Sequence, residues 1–107
     1  MTNIPSYSSV KERVDSHVDS TKAYHAGKVI DVLVTCLADN QINNYTSAFG
    51  RIEICKRLDF LNTFGNKHIE AVASIVNQTF NQKGWKSPVK IYFDDEGDAF
   101  VKFSQDF

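Results

Sequence analysis

Four carboxylates crowd one short stretch near the end of the chain. Asp94, Asp95, Glu96 and Asp98 surround a single glycine, Gly97. Carboxylate oxygens suit Ca²⁺, but a calcium loop of the EF-hand type alternates its ligands and closes with a bidentate glutamate at its twelfth position. Here the acids are nearly contiguous and no such glutamate follows. We therefore interpret the stretch as a solvated turn, and we predict no metal site there.

The histidines and cysteines are the other residues that could carry catalysis. His17, His25 and His68 fall in three separate segments and lack the close spacing of zinc ligands. Cys36 and Cys55 lie in apolar stretches, where a thiol behaves as a small hydrophobic side chain, and we expect both to be buried and reduced. The glycines are single and scattered, so they form no phosphate-binding loop. These patterns predict a protein that is not an enzyme and has no cofactor.

The acidic turn joins two segments that are typical of β-strands. Residues 88–94 and 98–104 are rich in β-branched and aromatic side chains. Residues 95–97 fit a three-residue hairpin loop, in which Gly97 supplies the positive φ. A shift by one residue would mix polar and apolar side chains, so the pattern favours a single register. That register places six apolar side chains on one face: Val89, Ile91, Phe93, Ala99, Val101 and Phe103.

The opposite face of the predicted hairpin is the candidate interaction site. It carries Tyr92 beside Phe100 and Lys90 beside Lys102, with Trp85 shortly before the first strand. In one interpretation a helix or a subunit covers the rings while the lysines extend to solvent. In the other, the face is an exposed aromatic–basic patch that binds a partner. These five residues are the predicted partner-binding site.

Two helical patterns open the chain. A capping box, Ser9 followed by Glu12, predicts a helix start. Residues 22–39 carry a wide apolar stripe and are expected to form the central core helix. The polar residues 19–21 leave open whether these are two helices or one. The first pattern has a narrow apolar stripe made of Val10, Val14 and Val18.

Two further helices are predicted between the core helix and the hairpin. Residues 41–45 form a polar connection, after which Thr46 or Ser47 would cap a helix that runs to about residue 61 with Phe49 facing inward. Alternation at residues 51–55 also fits a short strand, and three strands would make a more stable sheet than two.

The last predicted helix spans residues 66–83. Asn66 is its expected N-cap, and Gly84 follows it as a natural C-terminal cap. We therefore expect one α+β domain over residues 1–107, with three to four helices packed on one face of a C-terminal antiparallel β-hairpin. Residues 1–7 would form an arm, ordered or loose.

The charge and hydropathy of the chain disfavour several classes of function. The net charge is −1 with a pI of about 6.3, so no overall basic field indicates nucleic acid or an anionic membrane. The N-terminus lacks the basic and apolar regions of a signal peptide, and the longest apolar run is too short to span a bilayer. A cytoplasmic location is expected.

Nucleic-acid binding is the main alternative to a protein partner. A helix followed by a hairpin could be the recognition helix and wing of a winged helix-turn-helix domain, but this wing tip is acidic where phosphate contact needs lysine or arginine. The face of Tyr92 and Phe100, with Lys90 and Lys102, could instead stack single-stranded bases. The acidic turn and the near-neutral charge favour a protein.

The end of the chain also carries a resemblance. Residues 84–104, about a fifth of the chain, read GWKSPVKIYFDDEGDAFVKFS. In turn chemistry and alternation this stretch resembles the helix–hairpin endings of small uncharacterised tailed-phage accessory proteins. The resemblance implies a phage accessory or virion protein that acts by binding in the host cytoplasm.

We thus expect a non-enzymatic protein-interaction module that binds and modulates a host or virion protein. A homodimer through the hairpin edge or the aromatic face is one form of this hypothesis. A single-stranded nucleic-acid binder and a small virion structural subunit are the alternatives.

Overall fold

The computed structural model of the chain describes residues 3–38, 46–47 and 50–107, with only the backbone described at Thr46 and Ser47. The predicted connection at residues 41–45 and the predicted inward-facing Phe49 lie outside the described residues. The regular elements, in chain order, are helix α1 (Tyr7–Ala38), strands β1 (Thr46–Ser47) and β2 (Arg51–Arg57), a 3-10 turn (Asp59–Leu61), helix α2 (Asn66–Asn81), and strands β3 (Val89–Phe93) and β4 (Ala99–Asp106).

The sheet is antiparallel throughout, with the strand order β1-β2-β4-β3. The expected α+β class and the hairpin are confirmed. The hairpin also has the predicted register, since Ile91 pairs with Val101 and Tyr92 pairs with Phe100. Gly97 has the expected positive φ of 84°.

The expected arrangement of three to four helices on a two-stranded hairpin is wrong. Within residues 3–38 and 50–107 there are two helices, and Arg51–Arg57 is a strand that pairs with β4 along its whole length. Ile52 and Ile54 are buried while their neighbours are exposed, which is the alternation of a strand with one buried face. Pairing with β2 gives β4 a partner on both sides, whereas an isolated hairpin would be marginally stable.

The first two helical patterns form one continuous helix. The hydroxyls of Ser20 and Thr21 both donate to the carbonyl of His17, so these polar residues stay within the helix. The helix begins at Tyr7, two residues before the predicted Ser9, and the Ser9 N–H donates to the Ser6 hydroxyl. Its 32 residues extend over roughly 48 Å.

Both helices contribute to a core on one side of the sheet. The hairpin side chains in this core lie on the predicted apolar face, where Phe103 and Val101 are fully buried, and β2 adds Ile52 and Ile54. The first third of α1 contributes little, since Val10 and Val14 are exposed and Val18 is the first buried residue. The helix residues of the core are Ala26, Val29, Leu33 and Cys36 from α1, and Ile69, Val72, Val76 and Phe80 from α2.

Asparagine side chains bind strand backbone at two points. Asn77 on α2 donates from Nδ2 to the Val89 carbonyl at 2.9 Å and accepts at Oδ1 from the Val89 N–H at 2.9 Å. Asn62, after the 3-10 turn, accepts from the Ala99 N–H at 2.8 Å and donates to Asp98 at 3.2 Å. Each amide replaces a strand partner, so it satisfies backbone groups that would otherwise be unpaired.

An Asn77→Ala variant is expected to lose about 1–3 kcal/mol of unfolding free energy, because two part-buried backbone groups of Val89 lose their partner. Asn77→Asp keeps the acceptor but sets a carboxylate oxygen against the Val89 carbonyl oxygen, so a loss at least as large is expected. Gln78→Ala, on an exposed neighbour in the same helix, is the control. Urea denaturation followed by circular dichroism measures the unfolding free energy of all three variants. Equal unfolding free energies for Asn77→Ala and Gln78→Ala would contradict this role for Asn77.

Candidate functional site

The outer face of the sheet is the face directed away from both helices. Strand alternation gives it a mixed aromatic and charged composition, while the inner face carries the core. Its side chains are Arg51, Glu53, Cys55 and Arg57 on β2, Phe100, Lys102 and Ser104 on β4, and Lys90 and Tyr92 on β3. Because α1 and α2 pack on the inner face, neither helix covers the two predicted aromatic residues.

Tyr92 and Phe100 form the aromatic centre of the outer face. Their rings are stacked, with centroids 5.9 Å apart and planes inclined by 19°. Tyr92 remains 39% exposed. Its hydroxyl lies 3.4 Å from Cys55 Sγ, across the intervening strand β4. This hydrogen bond, together with desolvation, raises the pKa of the Tyr92 phenol.

Most basic side chains of the outer face already have acidic partners. Lys102 Nζ lies 3.0 Å from Glu53, and this bond lowers the pKa of the Glu53 carboxyl. Arg57 contacts Asp59 at 2.6 Å and Asp98 at 3.0 Å, and Asp59 raises the pKa of the guanidinium more strongly. Arg51 Nε lies 3.6 Å from Asp106.

Lys90 differs from the other cations of this face. It is exposed, it pairs across the ladder with Lys102, and it makes no ion pair with any residue that the structure describes. Like charges directly opposed on a sheet are mildly unfavourable. An acidic group placed near Lys90 would therefore gain a partner that is not already neutralised.

Trp85 does not belong to the outer face. Its ring packs edge-on against Phe103 at 5.1 Å and Phe80 at 6.1 Å, and both of these are core residues. The structure therefore brings together four of the five predicted site residues and places Trp85 on the inner side. The alternation of β3 does not include Trp85, because Trp85 lies in the irregular connection between α2 and β3.

The acidic turn is held by its own hydrogen bonds. Asp94 Oδ1 accepts from the N–H groups of Glu96 and Asp98, at 3.0 and 2.9 Å. Asp94, Glu96 and Asp98 bring one carboxylate oxygen each within 4.8 Å of the others. Since Asp98 also contacts Asn62 and Arg57, the arrangement is that of a turn stabilised by side chains.

A histidine pair between the helices has no counterpart in the sequence reasoning. His25 Nδ1 on α1 lies 2.8 Å from His68 Nε2 on α2, although 43 positions separate them in the chain. His68 is buried, and its Nδ1 has no hydrogen-bond partner in the described part of the chain. Burial lowers the pKa of both imidazoles, and the positive charge of Lys28 lowers that of His25 further. Both rings are therefore neutral near pH 7.

A groove of about 620 Å³ opens beside this pair, between the first third of α1 and the start of α2. Val10, Val14 and Phe64 line its apolar part. Lys67 forms an ion pair with Asp15 across the two helices. The groove is a consequence of α1 extending past the sheet, and its walls belong to elements that the sequence assigned to separate helices.

The two cysteines have different environments. Cys36 is buried in the core, as expected, but Cys55 is exposed on the outer face. The expectation of a buried pair is therefore wrong for Cys55. It followed from assigning residues 46–61 to a helix, since a strand puts this side chain on the opposite face from Ile54.

No family model, curated protein or solved structure matches this chain. Among the described residues, no helix has the length and apolar character needed to cross a membrane.

Proposed function

We propose that this chain is a non-enzymatic protein-interaction module that binds a partner protein through the outer face of its sheet. The observation that carries the proposal is the stacked pair of the exposed Tyr92 and the half-buried Phe100, on a sheet face that neither of the two described helices covers. Exposed aromatic rings on a rigid sheet lose little side-chain entropy on binding, which is why such residues dominate many interfaces.

The charges around the rings support a protein partner over a nucleic acid. Lys102, Arg57 and Arg51 are each paired with an acidic residue. A phosphate backbone would have to compete with those carboxylates, and it would be repelled by them. A protein segment can instead stack an apolar or aromatic side chain on the two rings and leave the surrounding ion pairs in place.

The partner in this proposal is a host or virion protein. The resemblance of residues 84–104 to tailed-phage accessory proteins supports this part of the proposal. A small virion subunit would use the same surface, with another capsid or tail component as the partner.

A Tyr92→Ala, Phe100→Ala double variant is expected to remain folded and to bind its partner at least tenfold more weakly. The rings lie outside the core, whereas truncating a central aromatic anchor typically costs about 2 kcal/mol or more of binding free energy. The partner is first isolated by affinity capture on the native chain. Its dissociation constants for the native and variant chains are then compared by calorimetry.

The matched control is a Tyr24→Ala, Phe107→Ala double variant. It removes the same two ring types from exposed positions, 66% and 77% accessible, away from the outer face. This control is expected to bind like the native chain. Retained affinity in the Tyr92 and Phe100 variant would refute the proposal. A gel shift of single-stranded oligonucleotides that weakens steeply with salt would favour the nucleic-acid alternative instead.

A further inference from the structure

Strand β3 has one edge without a strand neighbour among the described residues, because it pairs only with β4. In an antiparallel ladder the backbone groups of successive residues alternate between the two sides of the strand. The Ser104 N–H donates to the Pro88 carbonyl, and the Asp94 N–H donates to the Asp98 carbonyl. These bonds fix the alternation, so the N–H and C=O groups of Ile91 and Phe93 are directed away from β4.

Val89 has the same orientation, but its two backbone groups already bind Asn77. The Asn77 amide therefore prevents the first residue of β3 from pairing with another strand. Four backbone groups, two on Ile91 and two on Phe93, have no hydrogen-bond partner among the described residues and remain for an incoming strand.

We infer that two copies of this chain associate by pairing their β3 edges, antiparallel, about a two-fold axis that passes beside Tyr92. This register sets Ile91 of each copy opposite Phe93 of the other. All four open groups of each edge are then used, because each of the two residue pairs exchanges two hydrogen bonds. A strand that completes an exposed edge in this way is a general mode of association.

The two neighbouring registers pair fewer of the open backbone groups. An axis at Ile91 would oppose Phe93 to Val89, whose backbone groups are held by Asn77. An axis at Phe93 would oppose Ile91 to Asp95, which lies in the turn beyond the strand. Only the axis at Tyr92 matches every open backbone group with another.

The side chains are complementary in the same register. Lys90 of each copy lies opposite Asp94 of the other, so two ion pairs form on the outer face. Lys90 has no acidic partner among the residues described in the single chain, and it faces Lys102. The Asp94 turn bonds use Oδ1, which leaves its second oxygen for Lys90. On the inner face, the half-buried Ile91 and Phe93 cover one another across the axis.

This pairing does not depend on partner binding by the outer face, because Phe100 takes no part in it. If both occur, the two Tyr92 residues meet at the axis and join the aromatic pairs of both copies in one row. Short strand pairings bury little area and form weak, transient complexes. The association is therefore expected to be concentration-dependent.

The first test is the mass of the chain in solution. Sedimentation equilibrium across micromolar to millimolar concentrations is expected to show a shift from the 12.1 kDa monomer toward twice that mass. Lys90→Glu opposes like charges across the axis and is expected to weaken the dimer at least tenfold. It also places a carboxylate beside Lys102, so the monomer should not be less stable.

Lys83→Glu is the matched control, since it makes the same charge change at an exposed residue outside β3, and it should dimerise like the native chain. A native chain that stays monomeric throughout, or equal dimerisation of the two charge variants, would overturn the inference.

The second test addresses the register. In a Cys55→Ser background, Tyr92→Cys is expected to give a disulfide-linked dimer on mild oxidation. Residues opposed in a non-hydrogen-bonded pair have Cα atoms about 4.5 Å apart, within the range of about 4.4–6.8 Å that a disulfide bridges. Lys90→Cys in the same background is the control, because its two thiols would lie four residues apart along the strands, about 13 Å.

Equal cross-linking at position 90, or none at position 92, would contradict the proposed axis. Adding Phe100→Ala to the Cys55→Ser, Tyr92→Cys chain should leave the yield of cross-linked dimer through position 92 unchanged. A loss of partner binding in that variant therefore leaves the dimer measurable, and the two proposals can fail separately.

Discussion

Replacing Phe103 with alanine is expected to lower the unfolding free energy by about 3–5 kcal/mol and to lower the melting temperature accordingly. Phe103 is fully buried, and the rings of Phe80 and Trp85 pack against it at 5.3 and 5.1 Å. Truncating a buried phenylalanine typically costs about 3–5 kcal/mol. Domains of this size have a total stability of about 5–15 kcal/mol, so the loss is a large share of it.

Phe100→Ala is the matched control for this prediction. It removes the same side chain from the same strand, but on the outer face, where the ring contacts Tyr92. Its cost is expected to be about 1 kcal/mol, the value of one aromatic pair. Thermal unfolding by circular dichroism should separate the two variants by more than about 10 °C. Equal melting temperatures would mean that the two faces of the sheet have been assigned wrongly.

Acidification is expected to destabilise the fold from about pH 6.5 downward, through His25 and His68. Burial lowers the folded-state pKa of both imidazoles from the ordinary 6.5. Above that value both imidazoles are neutral in the folded and the unfolded chain, so stability is fully retained. Below it the unfolded chain takes up protons that the folded chain excludes. Each histidine then removes stability until its lowered folded pKa is reached, with a slope of at most about 1.4 kcal/mol per pH unit.

The surroundings of the pair explain why the folded state resists protonation. The groups whose charges act on it are His17 and Lys28, both on α1, and neither supplies a negative charge. A second proton would also set two cations 2.8 Å apart. The unfolding free energy measured in urea from pH 7.5 to pH 5 tests this slope.

A His25→Asn, His68→Phe variant should show a flatter profile in this range, because neither position can then be protonated. The phenylalanine also preserves the stacking on Phe64, which His68 now makes at 4.3 Å. His17→Asn, at an exposed position, removes one of the charges that act on the pair, so it is expected to flatten the profile much less than the double variant does. An unchanged slope in the double variant would show that other groups cause the pH dependence.

The hairpin could be predicted to the level of its register because its determinants are local. The alternation of β3 and β4 has a period of two, and Gly97 fixes the turn between them. Strand β2 was ambiguous because seven residues are too few to separate a strand from a helical segment. What decides its conformation is the pairing with β4, about fifty residues away, which no local pattern encodes.

The residues of the candidate site could likewise be predicted only where local alternation determines their position. Alternation placed Lys90, Tyr92, Phe100 and Lys102 on one face, and the structure has them there. Closeness in sequence associates Trp85 with them, but its ring packs on the core residue Phe103. The pair of His25 and His68 depends on how α1 packs on α2, which the sequence spacing does not indicate.

The long helix α1 has a consequence for the solution behaviour of the protein. Its first third extends past the sheet and gives the chain extents of 66 × 31 × 19 Å and a radius of gyration of 16.6 Å. A compact domain of this length has a radius of gyration of about 13 Å. A single copy will therefore diffuse slowly and leave a gel-filtration column early, at the volume of a larger globular protein. Its elution volume alone would suggest a dimer even for the monomer, so light scattering or sedimentation must determine the number of copies.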